Sequence, residues 1–440
     1  MIVLDDIYSS IDKKNTKKIR RHDLDWLRII LFGLLIPFHI SIGIYWTTYG
    51  EQINPNLENP ERSGLLDYSE DEQDAAINLY TQESVDPTSM FLHWMHQWRL
   101  AALFMISGFG TAFAFKNRKW QEFIKERFFR LIIPMFFGVW TVGFVGSVIL
   151  GNIETDVEGL ISGFIWVILL SLFFWVPVLG KILSLGHLWF IWNLFQYSIL
   201  LTPIFHYINT KPDRKIAKLI KSTFSLPNGL GIFLIFPLFL TFTEILFKPW
   251  MVGFLGSGYQ WFWYFLFFLF GYLCIISKDR YYAIIEKRRI TISIITIILT
   301  LAFIWLRIEQ YDSGIPYVDG GWISFDIIHN SKTIFACLIH SFHSWFWCLT
   351  IFSWGAHILN NPSHRLTYLN QGVYTFYIVH MPLTYLSLLI SSELGITNLF
   401  AVIFCTFFVA VNCWLFFEIA KRNKITRFLF GIKEPKNVIK

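Results

Sequence analysis

Charge is what this sequence has least of. Asp, Glu, Lys and Arg together supply 15% of its 440 residues, against about 25% in an ordinary soluble chain. With 54% apolar residues, 46 Phe and 19 Trp, the low charge excludes a soluble enzyme and a disordered chain, because no core of ordinary size hides that many rings. Cysteine is also sparse. Cys274, Cys337, Cys348, Cys405 and Cys413 all sit in apolar runs without metal-type spacing, which excludes a disulfide scaffold and reads as packing. The first apolar stretch lacks a small-residue cleavage site and is long enough to span, so it reads as an uncleaved signal anchor. No 20–50-residue repeat and no low-complexity linker is evident. The chain is expected to be dissolved largely in lipid.

What is present is a series of apolar runs near the roughly 20 residues that a helix needs to cross a bilayer. Eleven candidates are predicted at 25–48, 90–115, 129–150, 159–179, 187–207, 229–247, 259–277, 290–308, 333–358, 371–391 and 396–419. Loop charge orients them, since Lys and Arg are retained on the cytoplasmic side. Lys13, Lys14, Lys17, Lys18, Arg20 and Arg21 place the N-terminus inside. The connection 49–89, with ten acidic residues against Arg62 alone, is outside. The basic connections 116–128, 209–228 and 278–289 return to the inside, as does the tail from Lys421. Two cytoplasmic termini require an even number of crossings, so one of the eleven segments does not cross. The acidic 151–158 and basic 209–228 connections bracket two segments, and 159–179, ending in the Val-Pro-Val-Leu-Gly break at 176–180, is the one expected to be re-entrant. The predicted fold is an all-α polytopic membrane protein with about ten transmembrane helices and one re-entrant segment. It divides into a basic tail 1–24, a membrane domain 25–419 and a basic tail 420–440.

Ionisable groups inside spans are costly and therefore functional candidates. Arg28 and His39 lie eleven residues apart, about 16.5 Å of helical rise and within about 20° of three full turns, so they share one face. The plain alternative is that Arg28 snorkels to lipid phosphates and His39 meets a neighbouring carbonyl. The second span holds His93, His96 and Arg99, the last too deep to reach water by snorkelling alone. His93 and His96 have an i,i+3 metal spacing without an evident third ligand, and no metal is expected. Arg127 and Arg130 precede Leu-Ile-Ile-Pro134, either as an ordinary positive-inside flank or as a fork that grips phosphate. His187-Leu-Trp189-Phe opens the fifth span, His340 and His343 fall in the ninth, and Tyr374, Tyr377 and His380 fall in the tenth. Together these residues suggest a polar route through a helical bundle.

At these positions the chain resembles the membrane acyltransferase 3 family. Leu24-Asp-Trp-Leu-Arg28 followed by Ile-Pro-Phe-His39 resembles its Arg-x10-His opening, and Phe104-Met-Ile-Ser-Gly108-Phe resembles its second helix. Arg127-x-x-Arg130-Leu-Ile-Ile-Pro resembles its Arg-x-x-Arg motif. His187-Leu-Trp-Phe and Tyr374-x-x-Tyr377-x-x-His380 are similar to its later landmarks, so the resemblance runs from about 21 to 430. Ile36-Pro-Phe-His-Ile-Ser41, Trp98-Arg99 and Val379-His-Met-Pro-Leu-Thr384 resemble the branch that is taken to succinylate osmoregulated periplasmic glucans.

The resemblance implies an integral O-acyltransferase of the bacterial inner membrane that moves a succinyl or acetyl group from cytoplasmic acyl-coenzyme A to a hydroxyl of an extracytoplasmic glycan. The acyl-coenzyme A is donor substrate, and no bound cofactor is implied. Arg28 and His39 would be catalytic, His39 as general base or as transient acyl carrier. Arg127 and Arg130 would bind the donor. Arg99, His96, His187, Trp189, Tyr377 and His380 would line the acyl or acceptor pocket, with Arg99 holding a succinyl carboxylate or the thioester oxyanion. Membrane lipid and glycan-synthesis or export machinery are the implied partners, and nucleic acid is not. The rival readings are a transporter or flippase of a glycan precursor or small anion, whose spans also carry polar groups, and an inactive scaffold of the export machinery.

Overall fold

In the computed structural model the described residues are 21–53, 87–115, 118–150, 155–172, 186–210, 215–247, 258–313 and 331–432. Among them every regular element is helical, as expected where a bilayer offers the backbone no water and each helix satisfies its own N–H and C=O groups. The chain is an all-α polytopic membrane protein.

The helices run in the order α1 (His22–Gly33), α2 (Leu35–Ile53), α3 (Pro87–Phe115), α4 (Trp120–Ile149), α5 (Val157–Leu172), α6 (Trp189–Thr210) and α7 (Lys215–Ser225). After them come α8 (Pro227–Leu246), α9 (Gly258–Ile276), α10 (Lys278–Lys287), α11 (Arg289–Ser313), α12 (Ser331–Ile358), α13 (His364–Glu393), α14 (Asn398–Ala420) and α15 (Lys424–Leu429).

Eight helices are long and apolar enough to cross: α1–α2 taken together, α3, α4, α8, α11, α12, α13 and α14. A ninth crossing results if α9 and α10, bent by 100°, form one span. The expected number was about ten. The difference lies in α6, which has 22 residues, about 33 Å of rise, but carries Asn193, Gln196 and Pro203 and is buried over most of its first half, exposing Ile199, Leu200 and Ile204 beyond it. The expected re-entrant segment 159–179 begins within α5, which is described over the 16 residues to Leu172. Its Pro177 break lies outside the described residues. Two helices start earlier than their apolar runs do, α4 at Trp120 and α13 at His364, because amphipathic turns continue each helix beyond the apolar stretch.

Burial sorts the spans into two shells. The membrane window of α3 is 78% buried, whereas those of α11 and α14 are 22% buried and turn Ile, Leu and Phe outward. The core helices α3, α12 and α13 thus sit inside a ring of lipid-facing ones. Of all helix pairs, α3 and α9 make the most extensive contact, and two glycines permit it. A Cβ on Gly108 would collide with the Phe268 carbonyl oxygen and stand 2.9 Å from the Tyr272 nitrogen, and one on Gly271 would collide with the Met105 carbonyl oxygen. Small residues let helix backbones touch in a membrane. Gly271→Ala is therefore expected to cost about 1–3 kcal/mol by overpacking, seen as a lower unfolding temperature in detergent. An unchanged temperature would mean that the two backbones need not touch.

Proline shapes the two helices that carry the arginine and histidine motifs. Pro37 has no N–H for the Gly33 carbonyl, and the first span breaks between α1 and α2 at Leu34. Pro134 leaves the Arg130 carbonyl without its partner, and Phe128–Ile132 relaxes into a π-turn.

Candidate active site

The first span, α3 and α13 bring three polar stripes together. At one end, Arg28 Nη1 donates to Asn370 Oδ1 of α13 at 3.4 Å and lies 3.7 Å from Asp25 Oδ1. Asn370 Nδ2 donates to the same Asp25 oxygen at 3.0 Å. Arg127 Nη2 reaches across to Thr111 Oγ1 of α3 at 2.9 Å, while Arg28 Nη2 faces Gly110, the preceding residue of α3, so closely that a Cβ there would lie 3.5 Å away. Two guanidinium groups thus converge on Gly110–Thr111. Arg130 turns more outward and pairs with Glu126 at 3.5 Å. The Tyr374 hydroxyl, an electrostatic neighbour of both Arg127 and Arg130, is buried with no partner.

Towards the middle of the bundle the same helices present imidazoles. The His39 ring of α2 lies 5.4 Å from that of His380 on α13, and His187, just before α6, lies 5.1 Å from His380. Hydrogen bonds to carbonyl oxygens, which can only accept, fix two protons. His187 donates through Nε2 to Ile378 O at 2.9 Å, and His380 donates through Nδ1 to Tyr377 O at 2.8 Å. His380 Nε2 is left buried with no partner. Tyr377 closes the group by donating its hydroxyl to the His187 carbonyl. His39 is half-buried and makes no hydrogen bond among the described residues, so both its nitrogens stay available.

Arg99 completes this centre. It is 1% exposed, and its Cζ stands 3.5 Å over the ring of Phe38, a cation–π contact of about 2 kcal/mol when desolvated. Its Nε and Nη1 are buried without a partner. His96 stacks on the Phe38 ring at 6.0 Å. Arg99, His187, His96 and His380 all act electrostatically on His39. A buried guanidinium with two unmet N–H groups beside an open imidazole suits a substrate oxyanion or carboxylate.

The two ends are joined by periodicity. Asn370, Tyr374, Tyr377, His380 and Thr384 follow the three- and four-residue steps of one face of α13. Arg28 meets Asn370 and His39 meets His380, so both residues of the first span still face α13 across the break at Leu34.

This arrangement accompanies a match of residues 21–418 to a family model described as an acyltransferase domain. The chain belongs to that acyltransferase family. Proteins named glucans biosynthesis protein C from Salmonella typhi and Salmonella typhimurium (strain LT2) are each 24% identical to it over 434 residues, covering 94% of this chain and 96% of theirs. The protein of that name from Salmonella heidelberg (strain SL476) is 24% identical over 437 residues. No solved structure matches.

Not every motif residue of this acyltransferase reaches the centre. The Trp189 ring packs at a tilt on those of Phe104 and Tyr264, at 6.1 and 5.8 Å, and not on an imidazole among the described residues. His93 and His96 part company, since His93 Nδ1 bonds the Ser89 carbonyl at 2.8 Å on the other side of α3.

On that other side lies a second buried polar cluster. Glu244 of α8, 0% exposed, accepts from His340 Nδ1 at 2.9 Å and Ser341 Oγ at 3.0 Å. His343 Nδ1 pairs with Gln97 Oε1 at 2.7 Å, and Arg307 of α11 is also 0% exposed. Sequence reasoning missed Glu244 and Arg307, although an ionisable residue inside an apolar run is the signal that finds them. It also missed Asn370 and Thr111, which give no such signal.

Proposed function

We propose that this acyltransferase is an O-acyltransferase that carries an acyl group from cytoplasmic acyl-coenzyme A to a carbohydrate hydroxyl on the far side of the bacterial inner membrane. The observation that carries the reading is the pairing of an arginine end with an imidazole centre along one polar lane. Arg28 and Arg127, joined by Arg130 and the unpartnered Tyr374 hydroxyl, offer the donor set that coenzyme A phosphates require. The offset of about 16.5 Å between Arg28 and His39, at 1.5 Å per residue, is of the order that brings a thioester on its pantetheine arm to the imidazoles.

In this reading His39 takes the proton of the sugar hydroxyl as that oxygen attacks the thioester carbon. The carbon–sulfur bond breaks, and the departing thiolate receives that proton, so the reaction is balanced without a further reagent. His380 acts on His39 as the buried carboxylate does in a hydrolase triad. With Nδ1–H held by Tyr377 O, its bare Nε2 accepts the His39 N–H, leaving the other His39 nitrogen to act as base. His187 and Tyr377 hold His380 in that orientation, and His96 lines the centre across the Phe38 ring. Arg99 binds the carboxylate of a dicarboxylic acyl group such as succinyl. The relatives' names place them in glucan biosynthesis, which supports a glucan as acceptor and glycan-synthesis or export machinery as neighbours.

The test is thermal unfolding of purified protein with coenzyme A, acetyl-coenzyme A, succinyl-coenzyme A and ATP added separately. A ligand at 100 times its dissociation constant stabilises by about 2.7 kcal/mol. Coenzyme A species are expected to raise the unfolding temperature where ATP does not, and Arg127→Gln combined with Arg130→Gln to weaken that response. No shift with any of them in folded wild-type protein would favour a transporter instead.

A further inference from the structure

The polar cluster behind α3 contains a charge that the proposed reaction does not use. Arg307 of α11 is fully buried. Its Nε and Nη1 have no partner, and Nη2 has only a contact of 3.4 Å to Nδ1 of His93. That contact is long, and it is a hydrogen bond only in the tautomer that leaves Nδ1 bare. His93 Nδ1 also lies 2.8 Å from the Ser89 carbonyl oxygen and 3.1 Å from the Ser89 hydroxyl; with its proton directed to the carbonyl, which can only accept, it meets the guanidinium donor to donor. Among the described residues no carboxylate pairs with Arg307. The Trp94 ring packs on a cluster of Phe303 and Leu306 from α11 and Ala336 and Ile339 from α12, in which Leu306 is the residue before Arg307, and the Trp94 indole N–H is likewise buried and unpartnered.

Among the described residues, two of the three guanidinium nitrogens thus meet no acceptor. A guanidinium taken out of water without a counter-charge is among the most expensive arrangements in a protein, and an apolar residue of the same size would be cheaper. The imbalance points to a ligand that only accepts hydrogen bonds and carries negative charge.

We propose that Arg307 and Trp94 form an oxyanion-binding site, for a carboxylate, sulfate or phosphate group, separate from the His39 centre and on the opposite face of α3. Arg307 supplies the fork that engages two oxygens and Trp94 a third donor. Two exposed aromatics lie close by, Phe91 with its ring 5.6 Å from that of Trp94 and Trp305 two residues before Arg307 on α11. Rings of that kind lie at headgroup depth, so a lipid phosphate and a soluble oxyanion are both sources of this chemistry.

The experiment uses full-length protein and reads unfolding temperature, so it does not depend on turnover. One arm titrates inorganic phosphate and sulfate at constant ionic strength into protein in a zwitterionic detergent. The other compares nanodiscs of phosphatidylcholine with nanodiscs containing phosphatidylglycerol. The quantity that decides is the difference between wild type and Arg307→Met, because the Arg28–Arg127 end also attracts anions. Wild type is expected to gain a saturable stabilisation that Arg307→Met lacks. In chloride alone Arg307→Met is expected to be at least as stable as wild type, since it removes an uncompensated charge. Trp94→Phe, which removes one donor and keeps a ring, is expected to need roughly tenfold more anion, as loss of one charge-assisted bond implies. A response in the first arm identifies a soluble oxyanion, and one confined to phosphatidylglycerol identifies a lipid headgroup. An equal response in wild type and Arg307→Met, or none from wild type in either arm, overturns the proposal. If Arg307→Met does not fold, an unchanged response in Trp94→Phe and Arg307→Lys overturns it equally.

Discussion

Replacing His39 by alanine is expected to remove acyl transfer, by about 10²–10⁴-fold if the imidazole is a general base, and to leave the protein folded. The His39 ring touches Phe38 and His380 only at ring-to-ring distances of 5.5 and 5.4 Å and makes no hydrogen bond among the described residues. The substitution therefore breaks no network and leaves at most a small void. The measurement is transfer of labelled acyl groups in membrane vesicles, paired with the unfolding temperature of the same variant. Free imidazole added to His39→Ala is expected to restore part of the rate, which a merely structural defect would not allow. Activity retained by a folded His39→Ala protein would remove His39 from the mechanism.

Arg99→Gln carries the second large effect, and its sign depends on the acyl group. Truncating one partner of a buried, hydrogen-bonded charge pair costs about 2–5 kcal/mol. If Arg99 holds the far carboxylate of the acyl group, the loss falls on a succinyl donor and spares an acetyl donor. Competition between the two thioesters reads that selectivity directly. A uniform loss over both donors would assign Arg99 to the thioester oxyanion. The guanidinium is suited to either task because its Nε and Nη1 have no protein acceptor to give up.

Much of the site was legible one helix at a time. The eleven-residue interval between Arg28 and His39 survives as a shared face towards α13, even though Pro37 breaks the helix between them. The Tyr374, Tyr377, His380 series lies on one stripe as its spacing predicts. Helical periodicity dictates this much, since the angle between two residues of one helix depends only on their separation. Span counting was less secure. The first half of α6 packs against protein and needs little lipid-facing surface, so Asn193 and Gln196 lower the apolar character of the helix without preventing it from standing among the spans.

By itself, then, the sequence determined that this protein is an all-α membrane protein of the acyltransferase family. Scarce charge and long apolar runs leave lipid as the only adequate solvent, and ordered motifs from 21 to 418 carry the family. Only the tertiary structure decided which stripes meet. His39 and His380 are far apart in the chain and share no periodicity, yet their rings lie 5.4 Å apart. Arg127 turns in to Thr111 while Arg130 turns out to Glu126, and nothing in Arg-x-x-Arg distinguishes the two. Arg307 is an arginine in an apolar run when read along the chain, and a buried charge with no carboxylate partner among the described residues only once its neighbours are known. The physical reason is common to all three: a hydrogen bond or ion pair depends on distance through space, and one sequence specifies directions around a helix but not which helix stands opposite.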